Sequence, residues 1–165
     1  MANAEDCLKE AFAGESQASR KYLAFAAKAD QEGYPKAGKL FRAAAEAETI
    51  HSHNHLKALK GIRSTKENLQ EAIHGELHEV KEMYPDMIAT AKSEGNKEAE
   101  RTFKLAYEVE KVHAELYQKL LDSLAVTQEA HSYYVCPICG YTAEQEVTGA
   151  CPVCGAKGSL FKTID

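Results

Sequence analysis

From Asn3 to Lys60, and again from about Glu67 to Leu124, apolar residues recur at intervals of three and four in a background rich in Ala, Glu, Lys and Leu. That period is helical and predicts four helices. The first spans 4 to 31 and breaks at Glu32-Gly33-Tyr34-Pro35, where Gly can take a left-handed cap and Pro can open the next helix. The second spans 36 to 59 and ends before Gly61-Ile62-Arg63-Ser64. Ser64-Thr65-Lys66-Glu67 has the spacing of a capping box, so a third helix begins near 66 and closes at Gly95-Asn96. Pro85 lies inside it and predicts a kink. The fourth helix runs from about 97 to 125.

Past Thr127 the texture changes. Tyr133-Tyr134-Val135, Gly140, Gly149, Pro152, Gly155 and Gly158 predict short strands and tight turns. The expected organisation is a helical domain over 1–130 and a small module over 131–165. A module of about 34 residues cannot bury a self-sufficient core and needs a staple.

Composition narrows the partners. The chain has 165 residues and a net charge of −5, with acidic residues spread along it, so it offers no basic footprint for nucleic acid or an anionic membrane. No run approaches the roughly 18 uninterrupted apolar residues of a membrane span, and the first ten residues carry early acids and no apolar leader segment. The expectation is a soluble, cytoplasmic protein. Its five Cys are an odd number, and four fall near the C-terminal end, which predicts metal ligation rather than a disulfide framework.

Those four form two C-P-x-C-G knuckles, Cys136-Pro-Ile-Cys139-Gly and Cys151-Pro-Val-Cys154-Gly, with eleven residues between Cys139 and Cys151. Each knuckle can aim two thiolates at one metal, and four thiolates suit tetrahedral Zn or a single Fe. Spacing alone leaves a structural zinc ribbon and a one-electron iron site equally open. The fifth, Cys7, has no partner in this pattern.

The second helix contains Glu48-Thr-Ile-His51 and the fourth contains Glu110-Lys-Val-His113. Residues at i and i+3 point nearly the same way on a helix, so each pair offers a carboxylate and an imidazole together. One such pair is expected by chance, and Glu71-Ala-Ile-His74 fits that description. The other two each have a Gly-Glu upstream: Glu15 precedes Glu48 by 33 residues, and Glu76 precedes Glu110 by 34. The chain therefore repeats one plan, a Glu on one helix and E-x-x-H on the next. Two such hairpins bring four carboxylates and two imidazoles into a bundle core. Left without cations, those Glu would repel and resist desolvation. A pair of divalent metals resolves this, and oxygen-rich ligation with one His per metal favours iron or manganese over zinc.

Solvated faces are the ordinary place for Glu. Glu15, however, lies in a stripe of Phe12, Ala18, Tyr22 and Phe25, which argues for burial. Glu79 follows Glu76 at i+3 and is either a further ligand or an acid beside the ligands. Tyr22 and Tyr84 lie two turns beyond Glu15 and Glu76, where a phenol can bond a ligand carboxylate or simply fill the core. His53, His55, His74 and His78 read as surface or supporting residues.

Taken together, Gly14-Glu15, Glu48-x-x-His51, Gly75-Glu76-x-x-Glu79, Met83-Tyr84-Pro85, Glu110-x-x-His113 and the two knuckles closely resemble the rubrerythrin family. The resemblance spans nearly the whole chain. It implies a mainly α fold, a ferritin-like four-helix bundle followed by a rubredoxin-like Fe(Cys)4 domain. It also implies a peroxidase that reduces hydrogen peroxide to water in oxidative-stress defence. Its cofactors would be a dinuclear non-haem iron site and one Fe held by Cys136, Cys139, Cys151 and Cys154. By position, Glu48 and Glu110 would bridge the irons, Glu15 would bind the first, and Glu76 with His113 the second. Glu79 and His51 would exchange on the first iron with its oxidation state. A ferrous pair delivers the two electrons that cleave O–O, and the Fe(Cys)4 site returns them singly, a use that selects iron over zinc. No G-x-G-x-x-G fingerprint occurs, so electrons would come from rubredoxin or a separate NAD(P)H-linked reductase. An iron-oxidising or storage role for the same site is the alternative.

One departure from the family's longest-known pattern concerns the link between the second and third helices. From Lys60 to Lys66 the chain spans about 20 to 25 Å, whereas the return along a bundle covers about 33 Å. The expectation is a domain-swapped homodimer, with the first two helices of one chain completing the bundle of the other. Early fraying of the second helix from His55 would rescue an unswapped fold.

Overall fold

The computed structural model describes residues 3–126 and 130–165. It is mainly α, with the four-helix complement of a ferritin-like bundle and a small C-terminal antiparallel sheet. The chain divides into two compact units, Met1–Arg63 and Ser64–Asp165.

The first unit is a helical hairpin of α1 (Ala4–Gln31) and α2 (Pro35–Ala58). Asn3 caps α1 by accepting from the Asp6 amide at 2.9 Å, with Asp6 reaching back to the Asn3 amide, a reciprocal cap worth on the order of 1 kcal/mol. Gly33 takes φ +80° at the turn and Pro35 opens α2, as the pattern predicts. Close approach of the two helices at this end is specific to Gly38: a Cβ there would meet the Asp30 carboxylate, which Arg42 holds at 2.6 Å. Further along, buried Ser19 and half-buried Thr49 share a hydroxyl hydrogen bond of 2.9 Å that ties α1 to α2. Tyr22, Phe25 and Phe41 cluster beside it, with centroids 5.6 to 6.3 Å apart.

α2 remains helical through Ala58. Past its end the amides of Leu59, Lys60 and Gly61 still bond back to His55, Lys57 and Leu56, so fraying from His55 does not occur.

The second unit opens with α3 (Thr65–His78), started by the expected box: Glu67 accepts from the Ser64 amide at 3.2 Å while the Ser64 hydroxyl accepts from the Glu67 amide at 3.4 Å. Here the structure corrects the reading of one kinked helix to 94. α3 gives way to a π-helical segment, Glu79–Met83, and then to α4 (Tyr84–Ser93). Pro85 therefore stands where the continuous helix passes from π to α hydrogen bonding, and the wider π turn makes room for its ring. After Gly95 at φ +70°, Asn96 caps α5 (Lys97–Ser123) by accepting from the Ala99 amide at 3.0 Å. Glu100, buried near the start of α5, bonds Lys97 at 3.0 Å and Lys104 at 2.7 Å, and these ammonium groups hold its carboxyl down at about 2.

The C-terminal module has three strands, β1 (Tyr133–Val135), β2 (Thr142–Ala143) and β3 (Lys162–Ile164), in the order β2-β1-β3, all antiparallel. It docks on α5 through Lys119 to Glu144 at 2.5 Å and His113 to Thr142 at 3.0 Å. Among the described residues no helix is long and apolar enough to cross a membrane.

Candidate functional site

The two E-x-x-H repeats produce matching geometry. On α2, His51 Nδ1 lies 2.9 Å from Glu48 Oε2; on α5, His113 Nδ1 lies 2.7 Å from Glu110 Oε2. In both, one turn of helix aims the same ring nitrogen at the same carboxylate. The upstream Glu joins each pair from the neighbouring helix. Glu15, Glu48 and His51 converge in the first unit, and Glu76, Glu110 and His113 in the second, with ligand atoms within 4.8 Å of one another in each. The hairpin packing of α1 on α2 and of α3 on α5 places them.

The second trio shows the electrostatic strain that neighbouring buried carboxylates predict. Burial, then the Glu110 charge, pushes Glu76 up to about 7, only partly offset by His113. Glu79 also rises, through burial and Glu110. His113 rises because its hydrogen bond to Glu110 outweighs the cost of burying its charge. A divalent cation would take over what these retained protons do, so the donor set fits a metal.

Glu79 is not one of the three converging residues. It starts the π segment, close enough to Glu110 and His113 to feel both charges. Tyr84 lies at the segment's far end against Phe103, with centroids 6.4 Å apart, and burial followed by the Glu79 charge raises its phenol. Tyr22 sits in the aromatic cluster of the first unit. His53 is exposed, and His78 pairs with Glu82 at 3.2 Å, consistent with surface roles.

Two residues near the site were not singled out from the sequence. Tyr117 is raised by burial, then by Glu76 and Glu110. Its spacing, four beyond His113 and seven beyond Glu110, is the helical signal that identifies it. Thr142, from the C-terminal module, touches the far side of the His113 ring and has no such signal.

In that module the knuckles superimpose two equal turns. The amide of Gly140 donates to Cys136 and that of Gly155 to Cys151, both at 2.9 Å, with the glycines at φ +85° and +77°. A side chain would strain either position. Cys136 and Cys154 sulfurs are 3.6 Å apart, as are those of Cys139 and Cys151. That is far beyond a disulfide bond, and all four cysteines are free. A metal–sulfur bond of about 2.3 Å puts tetrahedral sulfurs about 3.8 Å apart, so the cage has the size of one metal ion. Burial disfavours the Cys136 thiolate, but amides of Ile138 and Cys139 aimed at it bring the thiol down to about 7. Cys139 and Cys154 are driven upward by burial, and a cation is what would ionise them together.

Family models match along most of the chain: rubrerythrin over residues 6–121, and the rubrerythrin rubredoxin-like domain over residues 134–162. Among characterised relatives, the chain is similar to rubrerythrin-2 of Clostridium acetobutylicum, at 41% identity over 96% of this chain and 95% of that protein. It is similar to nigerythrin of Nitratidesulfovibrio vulgaris at 35% identity, over 89% of this chain and 79% of that one. Fully reduced, all-ferrous nigerythrin matches as a structure with a TM-score of 0.60 and 32% identity, covering 99% of this chain and 88% of that one.

Proposed function

The chain belongs to the rubrerythrin family, and from that premise we propose that it is a di-iron peroxidase that reduces hydrogen peroxide to water. One observation carries the reading: the same chain holds two carboxylate–histidine half-sites and a four-thiolate cage. In this proposal Glu15, Glu48 and His51 would hold one iron, and Glu76, Glu110 and His113 the other. Cys136, Cys139, Cys151 and Cys154 hold a third iron.

Bound there, a metal pair would supply the two electrons that peroxide reduction requires. The chain's residues must supply the rest: reduction of one peroxide to two waters consumes two protons as well. Glu79, whose carboxyl is pushed up by burial and by Glu110, stands beside the site as the acid suited to deliver one of them. The Tyr84 hydroxyl is held protonated by burial and by Glu79, and can hydrogen-bond an oxygen of the substrate. Tyr22 occupies the matching position in the first unit. His51, with a side chain 54% exposed, has room to move relative to Glu48, which suits a ligand that exchanges with Glu79. Electrons enter at the four-cysteine site from rubredoxin or an NAD(P)H-linked reductase, in the cytoplasm.

The active unit in this reading is a domain-swapped homodimer. With Leu59, Lys60 and Gly61 held against the last turn of α2, the segment that bridges to α3 is Ile62-Arg63-Ser64. Three extended residues span roughly 13 to 14 Å, counting the bond at each end, against the roughly 33 Å of a return along the bundle.

The test is metal analysis with anaerobic reduction. The expected result is about three iron per chain and reoxidation by peroxide faster than by air. Faster oxidation by air, with ferric product released, would replace the peroxidase with an iron-oxidising protein.

A further inference from the structure

His113 has two ring nitrogens, and both have neighbours. Nδ1 faces Glu110 Oε2 at 2.7 Å and Glu76 Oε1 at 4.0 Å, the two carboxylates of its half-site. Nε2 faces away from them, 3.0 Å from Thr142 Oγ1. Thr142 begins β2, in register with Val135 of β1, so the sheet of the four-cysteine module fixes where its hydroxyl stands.

The hydroxyl's own bond decides the direction of the contact. Thr142 Oγ1 donates to the Gly140 carbonyl at 3.1 Å. A hydroxyl has one proton, so toward His113 it can only accept. Nε2 must then carry a hydrogen, and the nitrogen left to give a lone pair to a cation is Nδ1, which already points at the carboxylates. Gly140 is itself fixed: it follows Cys139, closes the first knuckle at φ +85°, and lies against buried Val109 of α5. The opposite half-site has no such arrangement. Among the described residues no second bond is made by the His51 ring, which is 54% exposed against 26% for His113.

We propose that Thr142 is a positioning residue through which the four-cysteine module commits His113 to bind metal through Nδ1. Its hydrogen bond locks the ring's tautomer and orientation, leaving His51 as the mobile imidazole and His113 as the fixed one. The same contact joins the two metal sites: Cys139, the Gly140 carbonyl, the Thr142 hydroxyl and the His113 ring form a continuous bonded path.

The inference rests on His113 being a ligand, as proposed above, and the experiment separates the two. The full chain is loaded with zinc, which is diamagnetic, and its histidines are labelled with nitrogen-15. In the unaltered protein NMR should show His113 Nδ1 bound to metal and an Nε2–H protected from solvent exchange. Thr142→Val should speed exchange of that hydrogen at least tenfold, and Thr142→Ser should restore protection. With iron loaded, electron transfer from the reduced four-cysteine site to the oxidised pair should slow about tenfold in Thr142→Val and recover in Thr142→Ser. Lys119→Gln, which loosens the other docking contact, should leave the His113 hydrogen protected.

An Nδ1 free of metal in the unaltered chain would remove the ligand assignment and the inference with it. Bound Nδ1 with a protected hydrogen in Thr142→Val would overturn the inference alone. Equal loss of protection in Lys119→Gln would also overturn it, by showing that docking in general, and not the hydroxyl, holds the ring.

Discussion

The amide of Tyr84 donates to the carbonyl of Glu79, five residues earlier instead of four. This one bond marks the π turn between α3 and α4, and it joins two residues that also interact through their side chains, since the Glu79 charge helps raise the Tyr84 phenol. A π turn adds a residue to the helix without a break, which rotates everything before it relative to everything after. Glu79 can therefore stand beside Glu76 and Glu110 while Tyr84 keeps its seat against Phe103. The acid and the phenol are held on one rigid element, as the proton donors of the proposed reaction would need to be.

Glu79→Gln removes the ionisable group and keeps its size. Because Glu79 is not among the three converging residues Glu76, Glu110 and His113, iron content should stay near that of the unaltered chain. Peroxide turnover should fall about 10²-fold, the order of a lost general acid. Stopped-flow oxidation of the reduced protein by peroxide, with iron quantified in the same sample, checks this. An unchanged rate would strip Glu79 of its role.

The metal-free protein should lose stability as pH rises from about 4.5 to about 7. Glu76 has an ordinary value of 4.5 when unfolded and about 7 when folded, because burial and Glu110 oppose its charge. Below that window both states hold the proton and nothing is lost; within it the unfolded chain ionises first and is favoured. Glu79 and His113 are raised as well and act in the same sense. Glu100, held at about 2, acts only at lower pH and in the opposite direction. Melting temperature against pH, with and without divalent metal, is the measurement. Saturating metal should flatten or reverse the slope.

Gly158→Ala should disable the C-terminal module selectively. A Cβ on Gly158 would sit 1.7 Å from the Val147 carbonyl oxygen and 2.8 Å from that of Gly149, both backbone atoms that cannot swing aside. Gly158 also donates its amide to Gly149 at 2.6 Å in the loop that carries the second knuckle. The visible absorption of a four-thiolate ferric site should be lost or weakened in this variant. The helical content, followed by circular dichroism, should remain. Retention of full absorption would mean that the loop can open by more than an ångström at little cost.

The helices and most of their boundaries were legible in the sequence because each rests on local rules: Ser64 with an acid three residues on, Pro35 after Gly33, Gly95 before Asn96. The Asn3 cap was not singled out. The six residues of the two half-sites were legible because a metal needs charge and spacing together, and the plan occurs twice. The π segment was not. Five residues are too few for a period of their own, and Pro85 suggests a kink just as readily. Thr142 was invisible for a different reason. It lies 29 residues from His113 on another kind of element, and only the docked sheet brings the two within 3.0 Å.

The proposed swapped dimer has a genetic test that follows from the two half-sites. Suppose one chain carries Glu15→Ala with Glu48→Ala, and a second carries Glu76→Ala with Glu110→Ala. Alone, each should bind iron only at the four cysteines, since every dinuclear site it can form lacks one half. Mixed as a heterodimer, a swapped architecture pairs the intact first hairpin of the second chain with the intact second hairpin of the first. One of the two dinuclear sites is then whole, and the pair should regain about half the di-iron content and peroxide turnover of the unaltered dimer. An unswapped architecture builds each site from a single chain, so the mixture should stay as inactive as its parts. Purification through different tags on the two chains isolates the heterodimer, and iron per chain with peroxide turnover distinguishes the outcomes. If no activity returns, Ile62-Arg63-Ser64 must bridge the return within one chain, and the hydrogen bonds of Leu59, Lys60 and Gly61 to the end of α2 would have to open to let it.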